Sequence, residues 1–467
     1  MNKVINFIVS LLCCAFSIFL LISINNLNVL PNRIFIIIVF GVIVINLIII
    51  LFLNILKKKV LKILGYILSF ITIIGIIIGL YYTTTTNNFL KKAFNNVSNT
   101  YEIKYYVAVN KESSISDLKD VSSIGYYNNS NNIEKALLKI KDIKTNKYDD
   151  ASTLFNDVKN NTVDGMLIEK VLYDTIVELG SDNYKIIYEF DIEVEEKVVK
   201  STNNNSDVYN IYIGGTDFTN QYYDFNMIVS VNNKTNKILL TSIPRDFYLT
   251  IKDKGVKDIL GYHGVWGVNT SITTLEDLFN TKIDYYVKIN TNSLVNLVDT
   301  VGGIEFCSDS EFVTTHALVL DTYDDSRGRK LYVKKGCQHV SGIEALTIAR
   351  ERKNVSGGDY ARQQNCQKII ISIFDKIAKF DTLTNYQTIL NSVSSLYTTN
   401  IPSEIITSIP KNMLESGKKY TFETQTVNGK PSRGLVHVGA VYDFVAEPDY
   451  DTVNAASNKM NDFLNQK

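Results

Sequence analysis

The sequence predicts an α/β protein carried on an N-terminal three-helix transmembrane anchor. A small α/β accessory domain follows, then a larger α/β domain with a central mixed sheet. Three observations predict this. Apolar stretches occupy residues 4–24, 34–55 and 60–82. From residue 101 onward, short strand-like runs alternate with segments of helical periodicity. A charged and then polar run, DIEVEEKVVKSTNNNSD at 191–207, divides that alternation in two.

Each apolar stretch is long enough to cross a hydrocarbon core as a helix. Lys62 is the one charged side chain within them. Lys57, Lys58 and Lys59 lie between the second and third stretches, Lys62 at the edge of the third, Lys3 precedes the first, and the 25–33 loop carries only Arg33. Basic residues stay on the cytoplasmic side, which places the N-terminus inside and residues 83–467 outside. No small-x-small site follows the first stretch, so it reads as a span and not as a cleaved signal. Leu12 stands where a lipoprotein site needs a small residue, and Cys13 and Cys14 read as apolar, lipid-facing side chains.

The expected order is three spans in 1–82, a linker in 83–100, the accessory domain in 101–196, a linker in 197–207, the main domain in 208–380 and a C-terminal extension in 381–467. In the accessory domain, 103–109, 123–127, 163–168 and 184–190 read as strands. Ile133, Ala136, Leu137 and Ile140 have helical spacing, and 169–179 reads as a further helix. In the main domain VYNIYIGG, FNMIVSVNN, ILLTSI and DYYVKI read as strands. Residues 270–279 read as a helix, and Leu294, Leu297, Val298 and Val301 stripe another that Gly302-Gly303 stops. Ser341 and Glu344 form a capping box. Ile369, Ile370, Ile373, Phe374 and Ile377 stripe a long later helix.

The chain has 48 basic and 48 acidic residues, which gives nucleic acid no bulk charge to bind. Its four histidines lack metal-ligand spacing, and no G-x-S-x-G motif starts a serine hydrolase. Cys307 and Cys337 sit in loop-like surroundings outside the membrane, where bridging them would close the polar insertion 308–336. Cys366, in an arginine-rich segment, is expected to remain a free thiol.

The candidate chemistry gathers at strand ends, where α/β sheets bind ligands. Asp217 and Asp224 end or begin strands, Arg245-Asp246 follows ILLTSIP, and Arg350, Arg352 and Arg362 flank the loop NVSGGD. Carboxylates with several guanidinium groups suit a phosphate-rich ligand and a hard cation. Singly, each has an ordinary reading as a turn residue or a helix-end charge.

Taken in order, the pieces G-x-D, D-x-N-M-I-V, I-P-R-D, D-Y-Y-V-K-I-N, L-V-D-x-V-G-G-I, A-R-E-R and G-D-x-x-R-x-x-N resemble the LytR–CpsA–Psr family over roughly 208–380. The three-span anchor and intervening domain resemble its capsule-type members. The resemblance implies an LCP-type α/β domain that moves a cell-wall glycopolymer, of the teichoic acid or capsule kind, from a polyprenyl-pyrophosphate carrier to peptidoglycan. The alternative is a non-catalytic lipid-phosphate-binding or regulatory relative, separated from the first by Mg²⁺-dependent turnover. The implied metal is Mg²⁺ (or Mn²⁺) on Asp217 and Asp224. The implied catalytic residues are Arg245, Asp246, Arg350 and Arg352. Arg245, Arg350, Arg352, Arg362 and Asn365 are the implied substrate contacts. The helix stripes at 294–301 and 369–377 are candidates for the wall of a polyprenyl tunnel. Tyr222 and Thr219 stand where the family often has arginine, Cys366 where it has glutamine, and the histidine of its D-K-x-x-H-A is displaced to His263.

Overall fold

The computed structural model describes residues 3–94, 98–127, 132–149, 151–170, 172–173, 177, 183–197, 207–216, 222–251, 255–318, 329–378, 397–437 and 441–466. Helix α1 (Lys3–Leu27), helix α2 (Asn32–Ile50), which ends in a π turn at Leu51–Ile55, and helix α3 (Lys59–Phe94) are each long and apolar enough to cross a membrane. Polar side chains join them. The Asn6 amide donates to the Leu53 carbonyl in the π turn (2.6 Å), and the Tyr66 hydroxyl donates to Asn6 Oδ1 (2.6 Å). Asn54 and Asn46 donate to Ser10 and Ser17. In hydrocarbon such groups find no water, so pairing them ties helix to helix. Much of the 83–100 segment, expected as a linker, is the end of α3. The Thr83 and Thr86 hydroxyls there bond back to the Leu80 and Tyr82 carbonyls of the preceding turn.

Strands β1 (Ser98–Asn110), β2 (Ser123–Tyr127), β3 (Lys144–Tyr148), β4 (Gly165–Glu169) and β5 (Tyr184–Lys197) form one sheet in the order β3-β2-β4-β1-β5. Alternation along β1 splits its side chains. Tyr106 and Ala108 pack with helix α5 (Ala151–Lys159), while Tyr105 and Val107 face the side of helix α4 (Ile133–Leu137). The edge strand β3, with the sequence KTNKY, has no apolar alternation to reveal it. The helix read at 169–179 falls largely outside the described residues.

The larger sheet is mixed, in the order β16-β11-β6-β7-β8-β17. Its first strands are β6 (Val208–Thr216), β7 (Tyr223–Asn232) and β8 (Lys237–Ile243). The small pair β9 (Tyr248–Thr250) and β10 (Lys257–Ile259) precedes helix α6 (Val268–Phe279), strand β11 (Tyr285–Asn290) and helix α7 (Thr291–Thr300). Then come β12 (Ile304–Ser308), β13 (Phe312–Ala317), β14 (Lys330–Val333), β15 (Gly336–Val340), and helices α8 (Gly342–Arg350) and α9 (Asp359–Ala378). The expected capping box opens α8. The expected bridge joins Cys307 and Cys337, which oppose each other across β12 and β15, and Cys366 is a buried free thiol.

Residues 397–466 correct the expectation of a separate extension after 380. Strands β16 (Tyr397–Thr399) and β17 (Thr421–Thr426) are the two edges of the central sheet. Between them helix α10 (Ser403–Ser416) packs Ile405 against one face; hairpin β18 (Gly429–Val436) and β19 (Val441–Pro448) leads to helix α11 (Tyr450–Asn465), which packs Val453, Met460 and Phe463 on the other. Strand β17 reads TFETQT and shows little apolar pattern. Its place comes from backbone pairing with β8, from Thr421 opposite Lys237 to Thr426 opposite Ser242.

Candidate active site

Antiparallel pairing of β7 with β8, with Asn226 opposite Ile243, brings the start of one strand beside the end of the other. Asp224 thereby meets Arg245, and their side chains form an ion pair. Arg245 Nε lies 3.4 Å from Asp246. From the first turn of α9, Arg362 reaches the same corner. Its Nε donates to Asp359 (2.7 Å), and its Nη1 donates to the backbone carbonyl of Asp224 (2.9 Å).

Burial acts to lower the pKa of Arg245, but Asp224 and Asp246 drive it above the ordinary guanidinium range. Burial raises the Asp246 carboxyl against the pull of Arg245. Burial also acts to raise Asp359, yet Arg362 and Gln363 hold it below its usual value.

The A-R-E-R segment divides its two arginines. Glu351, fully buried between them, accepts from the Thr315 amide and, within 2.8–3.0 Å, from the Thr315 hydroxyl and the Lys353 and Asn354 amides. That staple ends α8 and sends Arg350 to one cavity and Arg352 to another.

The first cavity, of about 270 Å³, is walled by Phe225, Val287, Leu294, Leu297, Ile369 and Ile373, among others, with Asp224, Arg350 and Arg362 also in its lining. The stripes read from the sequence divide here. Leu294, Leu297, Ile369, Ile370 and Ile373 line the cavity; Val298 and Val301 are core, and Ile377 is exposed. Cys366 lines it too. Burial pushes its thiol up to about 11, so it stays protonated. The second cavity, of about 450 Å³, is bounded by Tyr222, Arg245, Asp246, Arg352, His437 and Asp443, among others. The Asp224–Arg245 pair joins the two: Asp224 lines the first, Arg245 the second.

Of the residues singled out in the sequence, Asp224, Arg245, Asp246, Arg350, Arg352 and Arg362 thus stand at these two cavities. Asn365, expected as a substrate contact, lines neither cavity. It lies about a quarter turn off the α9 face that carries Arg362, Cys366, Ile369 and Ile373. Asp217 and Thr219 lie outside the described residues. Sequence reasoning missed Asp359, which its i,i+3 spacing from Arg362 could have revealed, and the pair Tyr222–His437. The Tyr222 hydroxyl is hydrogen-bonded to His437 Nδ1, and its ring lies against Tyr262 (5.4 Å between centroids). Those partners are 215 residues apart, and nothing local marks them.

A family profile described as the LytR_cpsA_psr family matches residues 176–459. A polyisoprenyl-teichoic acid–peptidoglycan teichoic acid transferase, TagU of Bacillus anthracis, is 31% identical over 187 residues, 40% of this chain and 57% of that protein. Biofilm regulatory protein A of Streptococcus mutans is 31% identical over 234 residues, 48% of this chain and 55% of that one. The chain therefore spans somewhat more than half the length of these relatives. Among solved structures, protein gbs0355 from Streptococcus agalactiae aligns with a TM-score of 0.48 at 24% identity, over 57% of this chain and 92% of that one.

Proposed function

The chain belongs to the LytR–CpsA–Psr family, and on that premise we propose that it transfers a cell-wall glycopolymer from a polyprenyl-pyrophosphate carrier to peptidoglycan. One observation carries this reading. An apolar cavity lined by helices α7 and α9 closes on Arg350, Arg362 and the Asp224–Arg245 pair. A polyprenyl chain needs the apolar wall, and a pyrophosphate needs the guanidinium groups, whose forks match phosphate oxygens.

The reaction is a displacement at phosphorus. An acceptor hydroxyl oxygen bonds to the phosphorus that carries the polymer, and its proton passes to solvent. The bond from that phosphorus to the bridging oxygen breaks, and the electron pair leaves on polyprenyl monophosphate. Arg245, Arg350, Arg352 and Arg362 hold the phosphates and stabilise the charge that develops there. Asp224 and Asp246, with Asp217 nearby in sequence, offer the hard oxygen donors that Mg²⁺ or Mn²⁺ takes. The raised carboxyl of Asp246 favours a further cation at this corner. Bound there, the ion would neutralise phosphate oxygens. The lysines at 57–59 and the Cys307–Cys337 bridge support an orientation with the catalytic domain outside the cell.

The test uses the full chain in detergent, a polyprenyl-pyrophosphate-linked polymer and peptidoglycan strands. Arg245→Ala and Asp224→Asn should each lower transfer by about 10²–10³. Chelation should stop turnover, and Mg²⁺ or Mn²⁺ should restore it. Full activity in both variants overturns the catalytic reading, and turnover indifferent to chelation overturns the metal.

A further inference from the structure

The second cavity is unlike the first. Tyr222, His437 and Asp443 give it hydrogen-bonding walls, and Phe444 stands in its lining. It opens beside the hairpin of β18 and β19, whose inner face is fixed. Val436 and Val445 are buried, the Tyr248 hydroxyl donates to the Leu435 carbonyl (2.9 Å), and Gly434 lies so close under the Tyr248 ring that a Cβ would come within 2.9 Å of it. The pleat then turns alternate residues outward. Leu435 opposes Tyr442 and Arg433 opposes Phe444. Leu435, Tyr442 and Phe444 are 52, 62 and 49% exposed. An aromatic strip with a guanidinium at its edge thus runs outward from a polar cavity that contains Arg245.

Displacement at phosphorus is roughly in line, so the nucleophile enters opposite the leaving oxygen. With the leaving polyprenyl phosphate held from the apolar cavity, the open approach to Arg245 is this second cavity. We propose that the cavity and the hairpin strip are the subsite for the acceptor saccharide strand, with its rings on Tyr442 and Phe444 and its hydroxyls on the Tyr222–His437 pair and Asp443. The assignment rests on the transferase reading above. A pyranose ring has an apolar C–H face that lies flat on an aromatic ring, and a rim of hydroxyls that needs both donors and acceptors. The polar groups of the cavity, Tyr222, Arg245, Asp246, His437 and Asp443, suit hydroxyls and not an acyl chain. Burial holds His437 neutral, with its pKa lowered to about 4, so the imidazole offers one donor and one acceptor.

Trp266, the single tryptophan, reports on this corner. Its ring meets Tyr262 edge-on (5.4 Å), and Tyr262 meets His437 (4.7 Å). Uncross-linked peptidoglycan glycan strands are titrated into the full chain in detergent, with Trp266 fluorescence as one readout and co-sedimentation with insoluble peptidoglycan as the other. Saturable binding is expected. Tyr442→Ala with Phe444→Ala, both at exposed positions, should weaken it about ten-fold or more and raise the acceptor KM alike, with the KM for the lipid-linked donor unchanged. A doubly substituted chain with wild-type strand affinity and acceptor KM overturns the subsite while transfer itself stands. Weakened strand binding in a chain that never transfers upholds the subsite and overturns the transferase reading. A wild-type chain that binds phospholipid vesicles through this strip and ignores glycan strands overturns the subsite too.

Discussion

Glu351→Gln is nearly isosteric and should still be costly. All four partners of the carboxylate are donors: the Thr315 amide on Oε2, and the Thr315 hydroxyl and the Lys353 and Asn354 amides on Oε1. A glutamine oxygen can keep the Oε1 side. Its NH₂ then faces the Thr315 N–H, donor against donor, in a fully buried place. One buried amide left without an acceptor costs about 1–3 kcal/mol. Glu351→Ala strands all four donors and should cost roughly 3–5 kcal/mol, within the range of severe core lesions. Thermal unfolding of the full chain in detergent should show about 2–4 °C per kcal/mol for a domain of this size. Transfer should fall more steeply than stability, because the staple aims Arg350 and Arg352 at different cavities. The pH dependence follows from the lowered carboxyl. Burial acts to raise it, but the hydrogen bonds from Asn354 and Thr315 outweigh burial and hold it below 4.5. Its stabilisation is therefore complete above the unfolded value and lost as pH falls through the folded one. A glutamine variant with wild-type melting temperature and wild-type rate would refute the reasoning.

Two further outcomes are expected. His263 and His437 are buried and lowered from 6.5 to about 4, so the unfolded chain takes up protons that the fold refuses; stability should be complete above pH 6.5 and fall towards pH 4, by roughly 2 kcal/mol per histidine at pH 5, which chemical denaturation followed by Trp266 fluorescence would measure. Reduction, or Cys307→Ser with Cys337→Ser, should remove about 3–4 kcal/mol through the 30-residue separation the bridge closes, and peptide mapping of the unreduced protein should find Cys366 free.

Much of this architecture was legible because it is written in local periods. The spans are long apolar runs, β7 and β8 are apolar strands joined by a turn, and α9 carries a stripe. The capping box at Ser341 and Glu344 needs only four residues to be seen. What stayed hidden depends on distant partners. β17 is an edge strand whose register lies in its backbone, so TFETQT gave no signal. The role of Glu351 depends on Thr315, 36 residues earlier in the chain. The arginines were visible as a cluster, but their division between two cavities was not. The division follows from the geometry at the end of α8, and spacing alone does not encode it.

Charge bears on the tyrosine that stands at 222 in place of an arginine. Four guanidinium groups, Arg245, Arg350, Arg352 and Arg362, stand with four carboxylates, Asp224, Asp246, Asp359 and Asp443, at the described part of the site. Their charges balance, so a doubly charged pyrophosphate would meet no net positive charge. An arginine at 222 would narrow that gap from the protein's side. The phenol that stands there turns to His437, a partner whose burial keeps it uncharged, so that corner contributes polarity and no charge. On the proposed reading a bound cation would supply the remaining compensation, and Asp246, raised by burial despite the arginine beside it, is a carboxylate that would gain from one. On the metal-dependent reading proposed above, the tyrosine at 222 would shift part of the work from a fixed arginine to a metal ion on the carboxylates of this corner.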